Sequence, residues 1–336
     1  MNWSKGYTSA VYVREVDRST WRDLDRIEIY GGSVSRSAGE LQQSASLQCV
    51  DFAQDREIWV RVWMDVNQEG AADHVALFTG LATSPTRDIN GRLFTNSVEC
   101  YSVLKPAADV LLPRGWYAAA GASGADLVAE LLAATPAPKV VAGSSPALAT
   151  SYVAESGESN LTMAGKILTA IGWRTRITGD GTIYIEPQPE EAAVSFDCLE
   201  ADAVEPVLSA TYDWYTCPNV LRATRSGVSA VAVDDDPNSI FSTINRGREI
   251  WHEEKSVTLS NRETLESYAA RRLKELQKAI YSVSYSRRYH PDLYVGDLVR
   301  LHYPEQRVDG IYRITSQSID LAKGGRTQEE GEQYES

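Results

Sequence analysis

The densest gathering of reactive side chains in this chain is the stretch HPDLYVGDLVRLHYPEQRVDGIYRI at 290–314, with His290, His302, several carboxylates and several arginines. General acid–base work or metal ligation needs such groups to converge on one point. The spacing points elsewhere. His74, His252, His290 and His302 stand in no metal-type spacing with one another or with a cysteine. The run DDDPN (234–238) is the densest carboxylate cluster, but it lacks the alternating ligands and the glycine of a calcium loop, so it reads as a solvated turn. HExxH, GxSxG, a Walker loop and a strand-borne GxGxxG are all missing. Asp180 is accounted for by a turn, and Asp197 has no evident acid–base partner. Cys49, Cys100, Cys198 and Cys217 are far apart and form no CxxC pair; Cys49 and Cys100 sit among strand-like residues as free buried thiols do, and the chain reads as kept in a reducing cytoplasm. The sequence therefore offers no catalytic residue, no cofactor site and no metal site.

Binding surfaces are the remaining possibility. A net charge of −13 argues against a nucleic-acid-binding face, which gathers Lys and Arg. The start has no signal-like apolar run, and no stretch of 18 apolar residues would anchor the chain in a membrane. One basic stripe stands out: Arg271, Arg272, Lys274 and Lys278 on a helix expected over 260–280. It either docks against an acidic neighbour or is a solvated face laced by pairs such as Arg271 and Glu275 at i,i+4.

The elements that position these residues are mostly strands. IWVRVWMDV (58–66) alternates, with Ile58, Val60, Val62, Met64 and Val66 on one face and Trp59, Arg61, Trp63 and Asp65 on the other. SASLQCVDF (44–52), HVALFTGLATSP (74–85) and RLFTNSVECYSV (92–103) continue the pattern, the last two separated by DING (88–91), which predicts a small barrel or sandwich. From Pro106 the character changes. ADLVAELLAAT (125–135) and ESNLTMAGKILTAIG (158–172) predict helices, TPAPKVVAGSSPALATS (135–151) a surface loop, and WRTRITGDGTIYIEP (173–187) a hairpin. Strands return at LSATYDWYTCPNVLRAT (208–224) and GVSAVAVDDD (227–236). Ser260 and Glu263 have capping-box spacing before the long helix, and YSVSYS, LVRLHY and GIYRITSQSI follow as strands. The tail GGRTQEEGEQYES is polar and expected to fray.

In this setting the charged stretch at 290–314 looks structural. Gly296-Asp297 suits a tight turn, Leu298–Tyr303 alternates as a strand, and Asp309-Gly310 suggests a second bend. A weak echo links VRVWMDVNQEGAADHVALFTGLATSPTRD (60–88) to VRLHYPEQRVDGIYRITSQSID (299–320), as a duplicated β-barrel would give.

The residues 260–275 and HPDLYVGDLVRLHYPEQRVDGIYRITSQSIDL (290–321) together resemble the C-terminal half of phage tail baseplate hub proteins. These are the hubs of contractile phages, defective prophages and phage-tail-like bacteriocins, those of Gram-positive bacteria above all. GGSVSRSAGELQQSASLQCVDF (31–52), ILTAIGWRTRITGDGTIYIEP (167–187) and PNVLRATRSG (218–227) resemble the family's first barrel, its helix-plus-hairpin insert and the first strands of its second barrel. The resemblance implies a mainly β fold with an α+β insert, two tube-like antiparallel β-barrels flanking a small mixed α/β domain. The expected divisions are 1–105, 106–203, 204–325 with the long helix 260–280, and a polar tail at 326–336.

It implies function too. A non-enzymatic homotrimer would form a pseudo-sixfold ring between a hexameric tail tube protein and a trimeric spike or needle protein. Baseplate wedge proteins, and a tape measure protein, would be further partners. The protein would belong to a virion or phage-like particle assembled in the bacterial cytoplasm. Three copies would carry −39, three times −13, and an acidic channel would repel passing DNA. Alternatives are a tail-associated peptidoglycan hydrolase and a carbohydrate-binding tail-tip protein, the latter prompted by eight tryptophans and 17 tyrosines.

Overall fold

Residues 1, 3, 6–52, 55–90, 93–188, 194–199, 203–260, 263–278, 281–303 and 308–335 are described by a computed structural model. The N-terminal half is antiparallel. Across it, Ile29–Ser37 is followed by Gln43–Cys49, Leu93–Ser102, Ala71–Asn90, Ile58–Gln68, Thr8–Val16 and Asp23–Ile27. Alternation drives this arrangement, because the apolar phase of each strand, including Val34, Leu47, Val60, Val62, Phe78 and Val98, forms one core. The C-terminal half uses Ala203–Tyr212, Tyr281–Arg287, Thr327–Glu335, Val308–Asp320, Leu298–Tyr303 and Val194–Leu199, the last of these pairing in parallel. It has its own core around Val283, Tyr285, Val299, Leu301, Tyr312 and Ile314.

The halves are not separate. Ser316–Asp320 pairs antiparallel with Ser33–Ser37, so both belong to a single 13-stranded sheet. The two echoing stretches each form an antiparallel hairpin, Ile58–Gln68 with Ala71–Asn90 and Leu298–Tyr303 with Val308–Asp320.

Between the halves lies the mixed insert. Its helices are α1 (Lys105–Asp109), α2 (Gly124–Leu131, extended by a short 3-10 turn) and α3 (Asn160–Ile171). The helix α3 starts at Ser159, whose hydroxyl accepts from the Thr162 amide, and ends at Gly172 with φ 70°. Leu161, Ala164, Ile167, Leu168 and Ile171 are buried as the 3.6-residue period predicts. The hairpin Trp173–Ile177 with Ile183–Pro187 forms as expected.

Several expectations are corrected. The stretch 135–151 is not all surface loop, since Lys139–Val141 joins the insert hairpin as a parallel edge strand and Ala137 and Leu148 are buried. Asp309 and Gly310 do not bend the chain. They sit inside a strand, opposite His302 and Leu301. The tail does not fray: Thr327–Glu335 is an interior strand paired on both edges. Its polar composition hid this, because the inward positions are Thr327 and Glu329, held by polar rather than apolar packing.

The segment expected to open the second barrel forms a unit of its own. Val220–Arg225 lies between Val228–Val233 and Trp251–Glu254 in a three-stranded sheet. After the short α4 (Thr243–Arg246) comes α5 (Leu265–Lys278), which covers one sheet face with Leu265, Ala269 and Leu273 over Leu221 and Ala223. The start of α5 also shifts. Thr264 Oγ1 accepts from the Ser267 amide (3.2 Å) while Ser267 Oγ accepts from the Thr264 amide (2.9 Å), so this reciprocal pair caps the helix and Ser260–Glu263 does not.

Candidate assembly surfaces

Period two places Tyr281, Val283, Tyr285 and Arg287 on the buried side of one strand. Arg287 is 2% exposed and must find a partner there. Its Nε and Nη2 donate to the two carboxylate oxygens of Glu329 at 2.7 and 2.5 Å, and Glu329 is fully buried. Gln317 Nε2 donates to the same carboxylate (2.6 Å) and to Leu293 O (3.1 Å). Gln317 Oε1 in turn accepts from Arg36 Nη1 (3.3 Å), and Arg36 Nη2 donates to Leu77 O (2.8 Å). This buried chain crosses the ladder that joins the halves. It ties their relative position to four polar side chains as well as to the sheet.

A second junction holds the insert against the N-terminal half. Arg61 donates to Thr79 Oγ1 (3.0 Å), to Asp23 (2.6 Å) and to the carbonyl of Asp180 at the tip of the insert hairpin (3.0 Å). Trp21 Nε1 reaches the same carbonyl at 3.0 Å, and Thr79 Oγ1 donates to Gly179 O at 2.8 Å. Gly179 is packed so closely that a Cβ there would lie 1.7 Å from Ala76 O. Trp59 and Arg61, on the face opposite the apolar phase, are therefore buried beneath the insert.

The basic stripe is largely spoken for within the chain. Arg271 donates to Glu263 (2.8 Å) and to Glu275 (2.6 Å), the i,i+4 pair expected of a solvated face. Arg272 pairs with Glu254 (2.9 Å) and Glu275 (3.4 Å), and Tyr268 donates its hydroxyl to Glu254 (2.6 Å). Burial works to raise the Glu254 carboxyl, yet the hydrogen bonds from Tyr268 and Arg272 hold it below its ordinary range. A cleft of about 630 Å³ beside these groups is lined by Glu254, Tyr268, Arg271, Arg272, Glu275 and, from α3, Thr169. Among the described residues no ion pair involves Lys274, which lines a separate cleft with Arg313 and Glu332. Lys278 ends α5, and its side chain lies outside the described residues.

The histidines do not converge. His74 stacks on Trp63 at 4.0 Å and meets Asp65 at 2.5 Å, His302 meets Asp309 at 3.2 Å, and His252 lies 3.4 Å from Glu254. None of these imidazoles is hydrogen-bonded to a hydroxyl or thiol among the described residues. Asp234 and Asp236, in the expected turn, accept from neighbouring amides and hydroxyls, and Asp234 also accepts from Gln277 on α5 (2.9 Å). Among the described residues no three of His, Cys, Asp and Glu gather to hold a metal ion. The geometry offers paired charges and rigid junctions.

Solved structures share this arrangement from end to end. The tail protein of Neisseria meningitidis superposes with a TM-score of 0.68 over 98% of this chain and 97% of its own, at 14% identity. The chain has the fold of a prophage tail protein. The 43 kDa tail protein of prophage MuSo2 from Shewanella oneidensis gives 0.65 at 12% identity, over 96% of this chain and 97% of that one. Prophage tail protein gp18 of Listeria monocytogenes gives 0.53 at 11% identity over 96% and 94%. No protein-family model matches the sequence, and a search of curated proteins finds no match.

Sequence reasoning missed both polar junctions. The signal for the first was present in the period-two phase that puts Arg287 in line with Val283 and Tyr285. For the second, only the pairing of an arginine inside an apolar strand with a distant Gly-Asp-Gly turn could have hinted at it.

Proposed function

We propose that the chain is the structural, non-enzymatic hub of a phage or phage-like tail baseplate. Three copies form a pseudo-sixfold ring that joins a hexameric tail tube to a trimeric spike or needle, with wedge proteins around it. The observation that supports this reading best is the end-to-end likeness to tail proteins, combined with two sheet halves fixed to each other. Two strand-rich halves per chain, tied together by the Arg36–Gln317–Glu329–Arg287 chain, would give six in a trimer. That number lets a threefold object meet a sixfold one. On this reading Lys274 is, among the described side chains of the basic stripe, the one left to meet an acidic neighbour, because Arg271 and Arg272 are engaged within the chain. The channel would be lined by part of the acidic excess, and a neutral or basic lumen in the assembled ring would contradict that. Light scattering tests the oligomer. The reading expects 111 kDa, three times 37.0 kDa; a 37.0 kDa particle at assembly concentrations, with tube and spike proteins added, would count against it.

A further inference from the structure

The strand Val228–Val233, VSAVAV, is an edge of the three-stranded sheet, paired only with Val220–Arg225. It contains no charge and no proline. Unpaired edges invite strand addition, and proteins blunt them with charged residues, prolines or very short lengths. Every other edge strand of more than two residues among those described carries a charge: Asp23–Ile27, Lys139–Val141, Trp173–Ile177, Val194–Leu199, Ala203–Tyr212 and Trp251–Glu254. Among the described edges of that length, this one alone lacks a charge.

Beside it the sheet face turned away from α5 has an apolar corner and one charged pair, Arg222 opposite Val231 with Glu253 at 3.8 Å. Val233, Val220 and Trp251 are cross-strand neighbours on the sheet face turned away from α5. Next to that end of the sheet, residues 213–217 form a tightly held loop. Arg246 donates to the carbonyls of Cys217 (2.7 Å) and Trp214 (2.5 Å), and Asp213 accepts from the amides of Tyr215 (3.1 Å) and Thr216 (3.0 Å). The loop presents Tyr215, 81% exposed, to solvent. Tyr212, Trp214, Tyr215 and Trp251, 44–81% exposed, leave on the order of 450 Å² of ring surface open. Val231 and Val233, 49% and 48% exposed, lie on the same sheet face as Trp251 and add to this surface. The largest apolar patch of a monomer, commonly about 300–600 Å², is often a functional one.

We propose that the edge Val228–Val233, with the aromatic surface beside it, accepts a β-strand from a different protein of the particle, a strand of alternating apolar side chains. Backbone hydrogen bonds would supply affinity, and Val231, Val233 and the rings would read the alternating side chains. Pairing of this edge with the same edge of a second copy is isologous and makes a twofold dimer, which does not fit the threefold hub. To that extent the choice of partner rests on the proposed function.

The test is amide hydrogen exchange on the full-length chain. The probe is a short synthetic peptide alternating valine and threonine, and the control is the same peptide with proline at its centre. Exchange over 228–233 should slow at least tenfold with the first peptide only, and Val231→Lys should abolish the effect without changing Tm, because Val231 faces solvent. No protection, or equal protection in the Val231→Lys variant, would overturn the proposal. So would protection that appears without peptide as protein concentration rises, accompanied by a Val231→Lys-sensitive gain in mass, because the occupant would then be a second copy. A wild-type chain that never trimerises would speak against the hub reading, while the exchange result would still decide the edge.

Discussion

Replacing Glu329 by alanine should show what holds the two halves together. Its carboxylate takes two hydrogen bonds from Arg287 and one from Gln317, and all three side chains are at least 97% buried. Removing it leaves the Arg287 guanidinium charged and desolvated, with Arg288 O accepting from its Nη1 at 2.7 Å. Breaking one side of a buried ion pair costs about 3–5 kcal/mol. With an unfolding entropy of about 2.1 cal/mol/K per residue, a chain this long has about 0.7 kcal/mol/K, so Tm should fall by about 4–7 °C. The partner experiment is the double substitution Arg287→Met with Glu329→Leu. It removes both charges and keeps the volume, and it should return Tm to within about 2 °C of the parent. Differential scanning calorimetry of the parent, the single and the double variant measures this directly. The reasoning fails if Glu329→Ala shifts Tm by less than about 1 °C, or if the double variant is as unstable as the single one.

Gly179→Ala should be among the most damaging single changes. A methyl group 1.7 Å from Ala76 O must push the hairpin tip off the N-terminal half and loosen the contacts to Thr79, Arg61 and Trp21. A loss above about 3 kcal/mol is expected, with faster proteolysis within 173–187; unchanged stability would refute the docking role. For α5, Thr264→Ala should cost about 1 kcal/mol while Ser260→Ala costs little, as urea titration would show; the reverse order would place the cap at the sequence-expected position. Burial pushes the Cys49 thiol up to about 12 and Cys100 higher still, the latter helped by its neighbour Cys49. Neither should react with iodoacetamide at pH 8 until the chain is unfolded, and mass spectrometry of rapidly labelled native protein would reveal any exception.

The strands of the N-terminal half and the helix α3 were legible because their apolar residues repeat with clean periods and their ends carry Ser159 and Gly172 as caps. Composition misled where polar side chains occupy inward positions. Thr327–Glu335 reads as a tail because Glu329 looks like surface, and only its distant partner Arg287 makes it core. Local turn chemistry misled at Asp309-Gly310, since the pairing with Leu298–Tyr303 keeps both residues in the strand. For 218–236, strand patterning was visible, but pairing was not. A strand's period says which face is buried but not which sheet receives it. On α5, the pair Arg271–Glu275 was readable from i,i+4 spacing, whereas Glu254, the partner of Arg272, comes from a strand 18 residues away.

Electron microscopy of the chain mixed with candidate tube and spike proteins tests the hub reading most directly. The account predicts class averages of a threefold particle with six similar lobes around an open channel, two lobes from each copy. A twofold particle, a single compact monomer, or a threefold particle without a channel would contradict it.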